Sequence, residues 1–458
     1  MELPREFCQR MEPLLGEAWR DFRAAYDAPL RRGVRVNTAK IAVEDFLPLF
    51  LLPLTPSPFA PDSFYLDEPH KAGRDPLHHA GAYYMQEPSA GSAVAVLSPK
   101  PGEKILDLCA APGGKSTQIA AAIGSAGLLW SNEYVAARAR ILEQNLERCG
   151  VRNAVVSNAD TGRLCTALEG FFDAVLVDAP CSGEGMFRKE PQALTEWSLD
   201  NIRLCAARQE EILCNAALAL KPGGRLVYST CTFAPEEDEA VIARFLHTHP
   251  SFTLEKIDVP WGSPGFSFDT IRAYTGLDAS PADLTRCRRI FPHQGGEGHF
   301  IALLRRDAAD ITSAPLPCPP PRDANATEAA ALYAECFRQE PSGDFVTVGD
   351  TVRLLPPGLP SLKGTGTVAA GVAVATVCKN RLEPAHGVFA AAPAADCRRL
   401  LSLPLTDPRL TAFLRGEEIP CDGDRGWTAV AVERLPLGFG KNAGGRLKNR
   451  YPKGLRLL

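Results

Sequence analysis

Two cysteines of this 458-residue chain stand directly after strand-like segments, each inside a short polar turn. Cys181 lies in DAPCSG, after the apolar segment 171–178, and Cys231 ends the segment 221–231. Because the carboxyl ends of parallel strands meet at one edge of a sheet, both thiols are predicted to face one crevice. The alternative is that both are ordinary buried cysteines, as most of the fourteen in this chain are expected to be.

A thiolate beside an acid can activate a pyrimidine ring. Sulfur adding to C6 of cytosine makes C5 nucleophilic enough to take a methyl group from a sulfonium, and a base must then remove the C5 proton. Asp178, at the end of the strand before Cys181, is expected near N3 of the ring, protonated or sharing a proton. Lys115 or Lys189 would favour the thiolate. These residues alone leave open which cysteine attacks.

A glycine-containing loop, CAAPGGKST (109–117), precedes a helix predicted over 115–124. Gly113 and Gly114 allow a ligand to approach the backbone closely, since glycine has no Cβ. A phosphate loop needs glycine where Cys109 stands, and a dinucleotide loop needs G-x-G-x-x-G, so the loop fits neither pattern. The remaining interpretation is a loop that holds the methionine part of S-adenosylmethionine.

Acidic residues end the next three predicted strands. Glu133 is expected to bind the ribose hydroxyls of the cofactor, Asp160 its adenine amine, and Asp178 to complete the edge. Carboxylates at successive strand ends suit a cationic ligand and disfavour a triphosphate. The alternative for each is a helix N-cap or turn acid.

The elements that must position these residues alternate between strand and helix from Gly81 to Arg306. Strands are predicted over 104–110, 127–133, 154–160, 171–178 and 221–231, and helices over 115–124, 135–150 and 201–220. This alternation predicts an α/β fold with a parallel sheet covered on both faces.

Length, composition and Pro-rich stretches predict several domains. They are a small N-terminal α/β domain (1–80), the main α/β domain (81–306), a linker (307–328), a small accessory domain (329–395) and a mixed or β-rich C-terminal domain (396–458). No run of eighteen apolar residues and no signal-peptide pattern is present, so we expect a cytoplasmic protein without a membrane span. No Cys/His cluster has zinc-ligand spacing, and no metal is expected.

The net charge of −4 conceals a basic C-terminus, because residues 434–458 hold seven Lys and Arg and no acid. Such a tail, interrupted by glycines, can follow a phosphate backbone, although a solvated surface is the alternative. The candidate RNA-binding residues are Lys189, Arg434, Lys441, Arg446, Lys448, Arg450 and Lys453.

Six segments together resemble the motifs of the Sun (Fmu-like) RNA cytosine-5 methyltransferases. The three diagnostic ones are ILDLCAAPGGKSTQIA (105–120), VLVDAPCSGEGMFRK (175–189) and LVYSTCTFAPEEDEAVI (226–242). The other three are RRIFPHQGGEGHFIALLRR (288–306), RVNTAK (35–40) and AYYMQEPSAGSAV (82–94). The resemblance implies a Rossmann-like S-adenosylmethionine-dependent methyltransferase core with small N-terminal and C-terminal RNA-binding domains.

The resemblance also implies residue roles. Cys231 would be the nucleophile and Cys181 would help to release the product, with Glu133, Asp160 and Asp178 in the cofactor site and Arg138 facing it. The loop residues that would wrap the methionine part are Cys109, Ala110, Ala111, Pro112, Gly113, Gly114 and Lys115.

The segment LPLGFGKNAGGRLKNRYPKGLR (435–456) is similar to the end of the RsmF-type bacterial branch, which carries a PUA-like RNA-binding module. That similarity implies small-subunit ribosomal RNA, or the small subunit itself, as the partner. The basic tail and the separate modules favour a monomer. Two alternatives stay open, a transfer RNA methyltransferase of the same family and a non-catalytic assembly factor. A P-loop ATPase is disfavoured by Cys109.

Overall fold

The computed structural model describes residues 1–309, 314–320, 323–379 and 381–457. Its N-terminal unit combines four helices with a four-stranded antiparallel sheet of order β2-β3-β1-β4. Its elements are α1 (Arg5–Leu15), α2 (Trp19–Ala25), β1 (Arg32–Val36), α3 (Val43–Phe46), β2 (Thr55–Pro56), β3 (Ser63–Leu66), α4 (Pro76–His79) and β4 (Tyr83–Met85).

The central unit alternates strands and helices as the apolar periodicity predicts. Its first half contains α5 (Ser92–Leu97), β5 (Lys104–Asp107), α6 (Gly114–Ile123), β6 (Leu128–Asn132), α7 (Ala136–Arg148), β7 (Ala154–Ser157), α8 (Thr161–Ala167) and β8 (Phe172–Asp178). Its second half contains α9 (Pro191–Glu196), α10 (Leu199–Ala219), β9 (Leu220–Thr230), α11 (Glu239–Thr248), β10 (Phe252–Glu255), β11 (Ser263–Pro264), α12 (Phe268–Thr275), β12 (Arg288–Ile290) and β13 (His299–Arg306).

The C-terminal part is richer in strands. It contains α13 (Ala326–Cys336), β14 (Asp344–Val348), β15 (Thr351–Leu355), β16 (Thr367–Ala370), β17 (Val372–Cys378), β18 (Arg381–Pro384), α14 (His386–Ala391), β19 (Leu400–Leu403), α15 (Pro408–Leu414), β20 (Ile419–Cys421), β21 (Gly426–Val432), β22 (Leu435–Asn442) and β23 (Gly445–Asn449). Strands β14-β15-β17-β18 form one sheet and β19-β21-β22-β23-β20 form another.

The central sheet has ten strands along β11-β12-β13-β9-β8-β5-β6-β7-β16, with β10 paired to β13. The expectation of a wholly parallel sheet is correct for β9, β8, β5, β6 and β7, which are mutually parallel. It is wrong at both edges, where β13 runs antiparallel to β9 and β16 antiparallel to β7. Beyond β13, strand β12 is also antiparallel, because the connection between β12 and β13 is too short for the crossover that parallel strands need.

Both faces of this sheet are covered, as predicted. The neighbours Ile105 and Leu106 of β5 are both fully buried but belong to different apolar clusters, since successive side chains of a strand point to opposite faces. Helices α8, α10 and α11 cover the Leu106 face and α5, α6 and α7 the Ile105 face. The carboxyl ends of five parallel strands are thereby held at one edge.

The chain after Arg306 returns to the central sheet. Strand β16 lies inside the segment predicted as an accessory domain (329–395), yet it forms the edge next to β7. Of the predicted linker 307–328, residues 310–313 and 321–322 lie outside the described residues, and α13 begins before its end. The domain boundaries stay predictions.

The N-terminal and C-terminal units pack on each other. Phe64 and Tyr83 share one apolar cluster with Phe413, Leu437 and other C-terminal residues. Tyr83 stands at the start of β4, and its cluster includes Tyr451, whose hydroxyl lies 2.7 Å from His79 Nδ1. In the part of the chain that the structure describes, no helix has both the length and the apolar character needed to cross a membrane.

Candidate active site

The two predicted cysteines meet at the carboxyl edge of the sheet. Strands β8 and β9 are parallel and in register, with Asp178 opposite Ser229, and the turns that follow place the Sγ atoms of Cys181 and Cys231 3.3 Å apart. A hydrogen bond with Cys231 and burial raise the pKa of the Cys181 thiol well above its usual range. Cys181 therefore keeps its proton and can donate it in a hydrogen bond to the sulfur of Cys231.

Asp178 forms an ion pair with Lys115. Lys115 Nζ donates to Asp178 Oδ2 at 2.7 Å, and Ser229 Oγ donates to Oδ1 at 2.7 Å. Burial favours the neutral acid, but the positive charge of Lys115 outweighs it and lowers the pKa of Asp178 below its ordinary value. The free protein therefore holds Asp178 as an ionised carboxylate paired with Lys115, which differs from the expectation of a protonated acid or one that shares a proton.

His299 is a site residue that sequence reasoning missed. The antiparallel register of β13 pairs Phe300 with Thr230, so His299 comes opposite the position of Cys231. Its Nδ1 lies 3.0 Å from Ser89 Oγ. Burial, followed by the charge of Lys115, lowers the pKa of His299 to about 3, so the ring is neutral. The signal was a lone histidine in GEGHF, which has no recognisable ligand or catalytic spacing.

Two side chains of α7 donate hydrogen bonds to carbonyl groups of the glycine loop. Arg138 Nη2 donates to Ala111 O at 2.9 Å, and Asn145 Nδ2 donates to Pro112 O at 2.8 Å. Gly113 has φ +112°, a conformation that side chains rarely adopt, and a Cβ there would lie 3.1 Å from Leu142. The predicted loop residues Cys109, Ala110, Ala111, Pro112, Gly113, Gly114 and Lys115 run from the end of β5 into α6.

Asp107, the last residue of β5, is a second side chain that the sequence reasoning overlooked. Ser116 Oγ donates to its Oδ2 at 2.6 Å, whereas Oδ1 is buried without a hydrogen-bond partner among the described residues. Burial raises the pKa of Asp107 to about 7. A cationic ammonium group at the glycine loop would stabilise the ionised carboxylate, so this site suits the amino-acid part of S-adenosylmethionine. The sequence feature that could have revealed Asp107 is the acid in ILDLCA, which lies in the strand before the three strands that end in Glu133, Asp160 and Asp178.

Glu133 and Asp160 have the structural contacts that were the alternative interpretation. Glu133 Oε1 accepts from the Val135 N–H at 2.8 Å, and its Oε2 lies 3.5 Å from Arg138 Nη1. Asp160 caps α8 by accepting from the Arg163 N–H at 3.1 Å. Both stand at the expected strand ends, next to the loop, and their contacts to ribose and adenine stay predictions.

The candidate RNA-binding residues are all exposed. Lys189 follows the Cys181 turn, and its charge helps to lower the pKa of His299, after burial and Lys115. The C-terminal set of Arg434, Lys441, Arg446, Lys448, Arg450 and Lys453 is exposed throughout. Lys441 and Lys448 are direct cross-strand neighbours on β22 and β23, so two like charges stand side by side.

The fold and the site define a class. A glycine loop after the first core strand, acids at the following strand ends and an open α/β sheet make this an S-adenosylmethionine-dependent methyltransferase. Residues 94–305 match the family described as 16S rRNA methyltransferase RsmB/F. Residues 3–88 match the N-terminal domain of 16S rRNA methyltransferase RsmF, and residues 401–457 match the methyltransferase RsmF PUA domain. The chain belongs to this family of RNA methyltransferases.

Individual relatives agree along the whole chain. The Ribosomal RNA small subunit methyltransferase F of Klebsiella pneumoniae is 34% identical over 95% of this chain and 92% of its own. The protein of the same name from Escherichia coli K12 is 33% identical over the same shares.

Solved structures agree over about two thirds of the chain. A methyltransferase homologue from Pyrococcus horikoshii is 31% identical, with a TM-score of 0.58 over 66% of this chain and 95% of that one. NSun6 from the same organism, solved with SFG, shares the fold with a TM-score of 0.55, at 24% identity over 67% of this chain and 99% of that one.

Proposed function

We propose that this protein methylates C5 of a cytosine in small-subunit (16S) ribosomal RNA, through a covalent adduct between Cys231 and C6. The observation that carries the proposal is the 3.3 Å separation of the Cys181 and Cys231 sulfur atoms at the cofactor edge. Methyl transfer to an amine or a hydroxyl needs no thiol. Transfer to C5 needs a nucleophile that activates the ring and a base that restores it, which two adjacent thiols can provide.

In the first step the Cys231 thiolate forms the S–C6 bond, and the displaced electron pair is taken up as a proton binds N3. The Cys181 S–H stabilises the thiolate beforehand by donating to its sulfur. The proton is supplied by the Lys115 ammonium group and passes to N3 through the Asp178 carboxylate, which already accepts from Lys115 at 2.7 Å. A carboxylate alone would repel the electron density that addition places on the ring.

When bound, S-adenosylmethionine supplies an electrophilic methyl group on a sulfonium. The role of the chain is then to remove the C5 proton so that C5=C6 re-forms and Cys231 leaves as a thiolate, while the proton on N3 returns to the Lys115–Asp178 pair. Cys181 loses its proton more readily at this stage and can act as this base, because a Cys231 sulfur bound to carbon is neutral and no longer adds to the effect of burial on the pKa of Cys181. The Cys181 thiol first gives its own proton to solvent, and the resulting thiolate then takes up the C5 proton.

The RNA substrate class rests on the family and on charge. The relatives are named for the small ribosomal subunit, and the PUA-matching segment carries the exposed cross-strand pair Lys441 and Lys448. Together with Lys189 at the site, these cations would hold the phosphates on either side of the target nucleotide. We propose that a monomer acts in the cytoplasm, where small subunits are assembled.

Bisulfite sequencing of ribosomal and transfer RNA, from cells with and without the gene, tests the proposal. We expect one 5-methylcytosine of 16S ribosomal RNA to disappear, and to return with the wild-type gene but not with Cys231→Ala. Loss in transfer RNA instead would overturn the substrate. No loss in either RNA would overturn the chemistry and favour a non-catalytic assembly factor.

A further inference from the structure

A buried carboxylate joins the two cysteine turns. Glu184 follows Cys181 by three residues and is only 1% exposed. Its Oε2 accepts from Thr232 Oγ1 at 2.9 Å and from the Phe233 N–H at 2.8 Å, both in the turn after Cys231. Its Oε1 accepts from Trp197 Nε1 at 2.8 Å. One side chain of the Cys181 turn thus binds two groups of the Cys231 turn.

The contacts around this carboxylate leave little freedom between the turns. Ser182 Oγ lies 2.8 Å from Thr232 Oγ1, and the Gly185 N–H donates to Cys231 O at 2.8 Å. A Cβ on Gly185 would itself lie 2.8 Å from Cys231 O, closer than a side chain can approach. The backbone of one turn therefore rests directly on the nucleophile-bearing residue of the other.

Packing alone does not explain a carboxylate at this place. Burial raises the pKa of Glu184, so ionisation costs free energy that an apolar residue would avoid. In return, a carboxylate is the side chain that only accepts, and it can satisfy three donors from different segments at once. The Phe233 N–H and the Trp197 N–H can only donate. A side chain with its own N–H would therefore place that N–H against one of these two donors and leave the donor without an acceptor.

We propose that Glu184 is a positioning residue that sets the distance between the Cys181 and Cys231 sulfur atoms. Its effect on turnover rests on the function proposed above, because close sulfurs matter there for the step from adduct to product. Its effect on the sulfur–sulfur distance does not depend on that function and can be measured without RNA.

The test uses two readouts on the full-length protein. Diamide oxidises two neighbouring thiols to a disulfide and is itself reduced to a hydrazine, so the rate of the Cys181–Cys231 cross-link, followed by peptide mass mapping, reports their proximity. The second readout is the ratio of covalent RNA adduct to methylated product in a single turnover. Cofactor affinity serves as the check that each variant is folded.

Glu184→Gln should slow cross-linking and product release by about tenfold to a hundredfold, because small misplacements of reacting groups cost about this much. Adduct should accumulate while cofactor affinity stays unchanged. Trp197→Phe removes the N–H that would face the amide group of Gln at position 184. The double variant Glu184→Gln, Trp197→Phe should therefore recover most of the lost cross-linking and product release. A protein that was only destabilised would not recover in this way. The matched control is Glu190→Gln, an exposed glutamate of the same loop, with wild-type behaviour expected.

Wild-type cross-linking rates in Glu184→Gln would overturn the inference, whatever the RNA readout gives. Slower cross-linking with accumulated adduct supports it. If Glu184→Gln does not fold, Thr232→Val removes a single donor to the carboxylate and should show a smaller effect of the same kind. If the wild-type protein cross-links but never methylates RNA, the proposed function fails. The cross-linking rates alone then test whether Glu184 sets the distance between the two sulfur atoms.

Discussion

Cys181 Sγ and Cys231 Sγ lie 3.3 Å apart although 50 positions separate the residues in the chain. Parallel pairing of β8 with β9 aligns Asp178 with Ser229, and each cysteine follows its strand by one to three residues. The two thiols are chemically different in this arrangement, since the raised pKa of Cys181 keeps it protonated beside Cys231. That asymmetry leads to the first prediction.

Replacing each cysteine should stop the reaction at a different step. Cys231→Ala should abolish methylation without forming any adduct and leave cofactor affinity nearly unchanged, because the nucleophile is missing. The Cys181→Ala variant should still form the bond between Cys231 and C6 but should not release the product, so RNA should stay covalently attached. Denaturing gel electrophoresis with labelled RNA distinguishes the two. An adduct in Cys231→Ala and none in Cys181→Ala would reverse the assignment.

Cofactor affinity should depend on pH through Asp107. The pKa of this carboxyl is raised to about 7 in the free protein, so it is largely protonated below that pH, whereas a bound ammonium favours the ionised form. Affinity for S-adenosylmethionine should therefore rise from pH 6 to pH 8 and then level off, by up to about tenfold per pH unit below 7. Calorimetry at several pH values measures this.

The matched variant for this profile is Asp107→Asn, which should bind more weakly at pH 8 and show a flat profile. The raised pKa of Asp107 has the opposite effect on the stability of the free protein, which decreases with pH where the cofactor affinity increases. Because the folded state holds a proton that the unfolded state releases near 3.8, stability should fall as the pH rises from about 4 through 7. A pH-independent affinity in the wild type would contradict this role.

Arg289 should be a main determinant of stability below the active site. Its guanidinium is 1% exposed, donates to Glu239 Oε1 at 2.7 Å and lies 3.0 Å from Asp238 Oδ2. Arg289→Met leaves both acids buried without their cation, which should cost about 3–5 kcal/mol. Urea unfolding followed by tryptophan fluorescence measures the change.

The matched control for Arg289 is Arg203→Met, which removes an exposed pair with Asp200. It should cost about 0–1 kcal/mol, because solvent screens the charges. Similar unfolding midpoints for the two variants would show that the buried network contributes little.

RNA binding should depend on the paired lysines of β22 and β23. Replacing Lys441 and Lys448 by alanine should weaken binding to a 16S RNA fragment and reduce the salt slope by about 1.5, because each phosphate contact releases about 0.7–0.9 counterions. Filter binding at several salt concentrations measures this. The charge-matched control replaces Lys100 and Lys221, which stand at the amino ends of strands, away from the crevice. An equal loss in both double variants would mean that only net charge matters.

Several elements were predictable because their signals are local. Apolar periodicity placed the core strands and helices within a few residues of their observed ends, and helix α6, predicted over 115–124, spans Gly114–Ile123. The antiparallel edges were not predictable in this way. Strand β16 comes after a Pro-rich stretch and pairs with β7, which lies about 200 residues earlier in the chain. This pairing depends on the open edge that β7 offers, and the four residues of β16 do not indicate it.

The amino-acid sequence by itself determined the cofactor loop, the two cysteine turns and the α/β class, since consecutive βα units bring strand ends to one edge wherever they occur. Only the tertiary structure decided the protonation pattern there. The Lys115–Asp178 pair, the neutral ring of His299, the raised pKa of Asp107 and the links from Glu184 all depend on burial and on partners distant in the chain. Local patterns carry no information about such contacts, because register and packing settle them only when the whole sheet has formed.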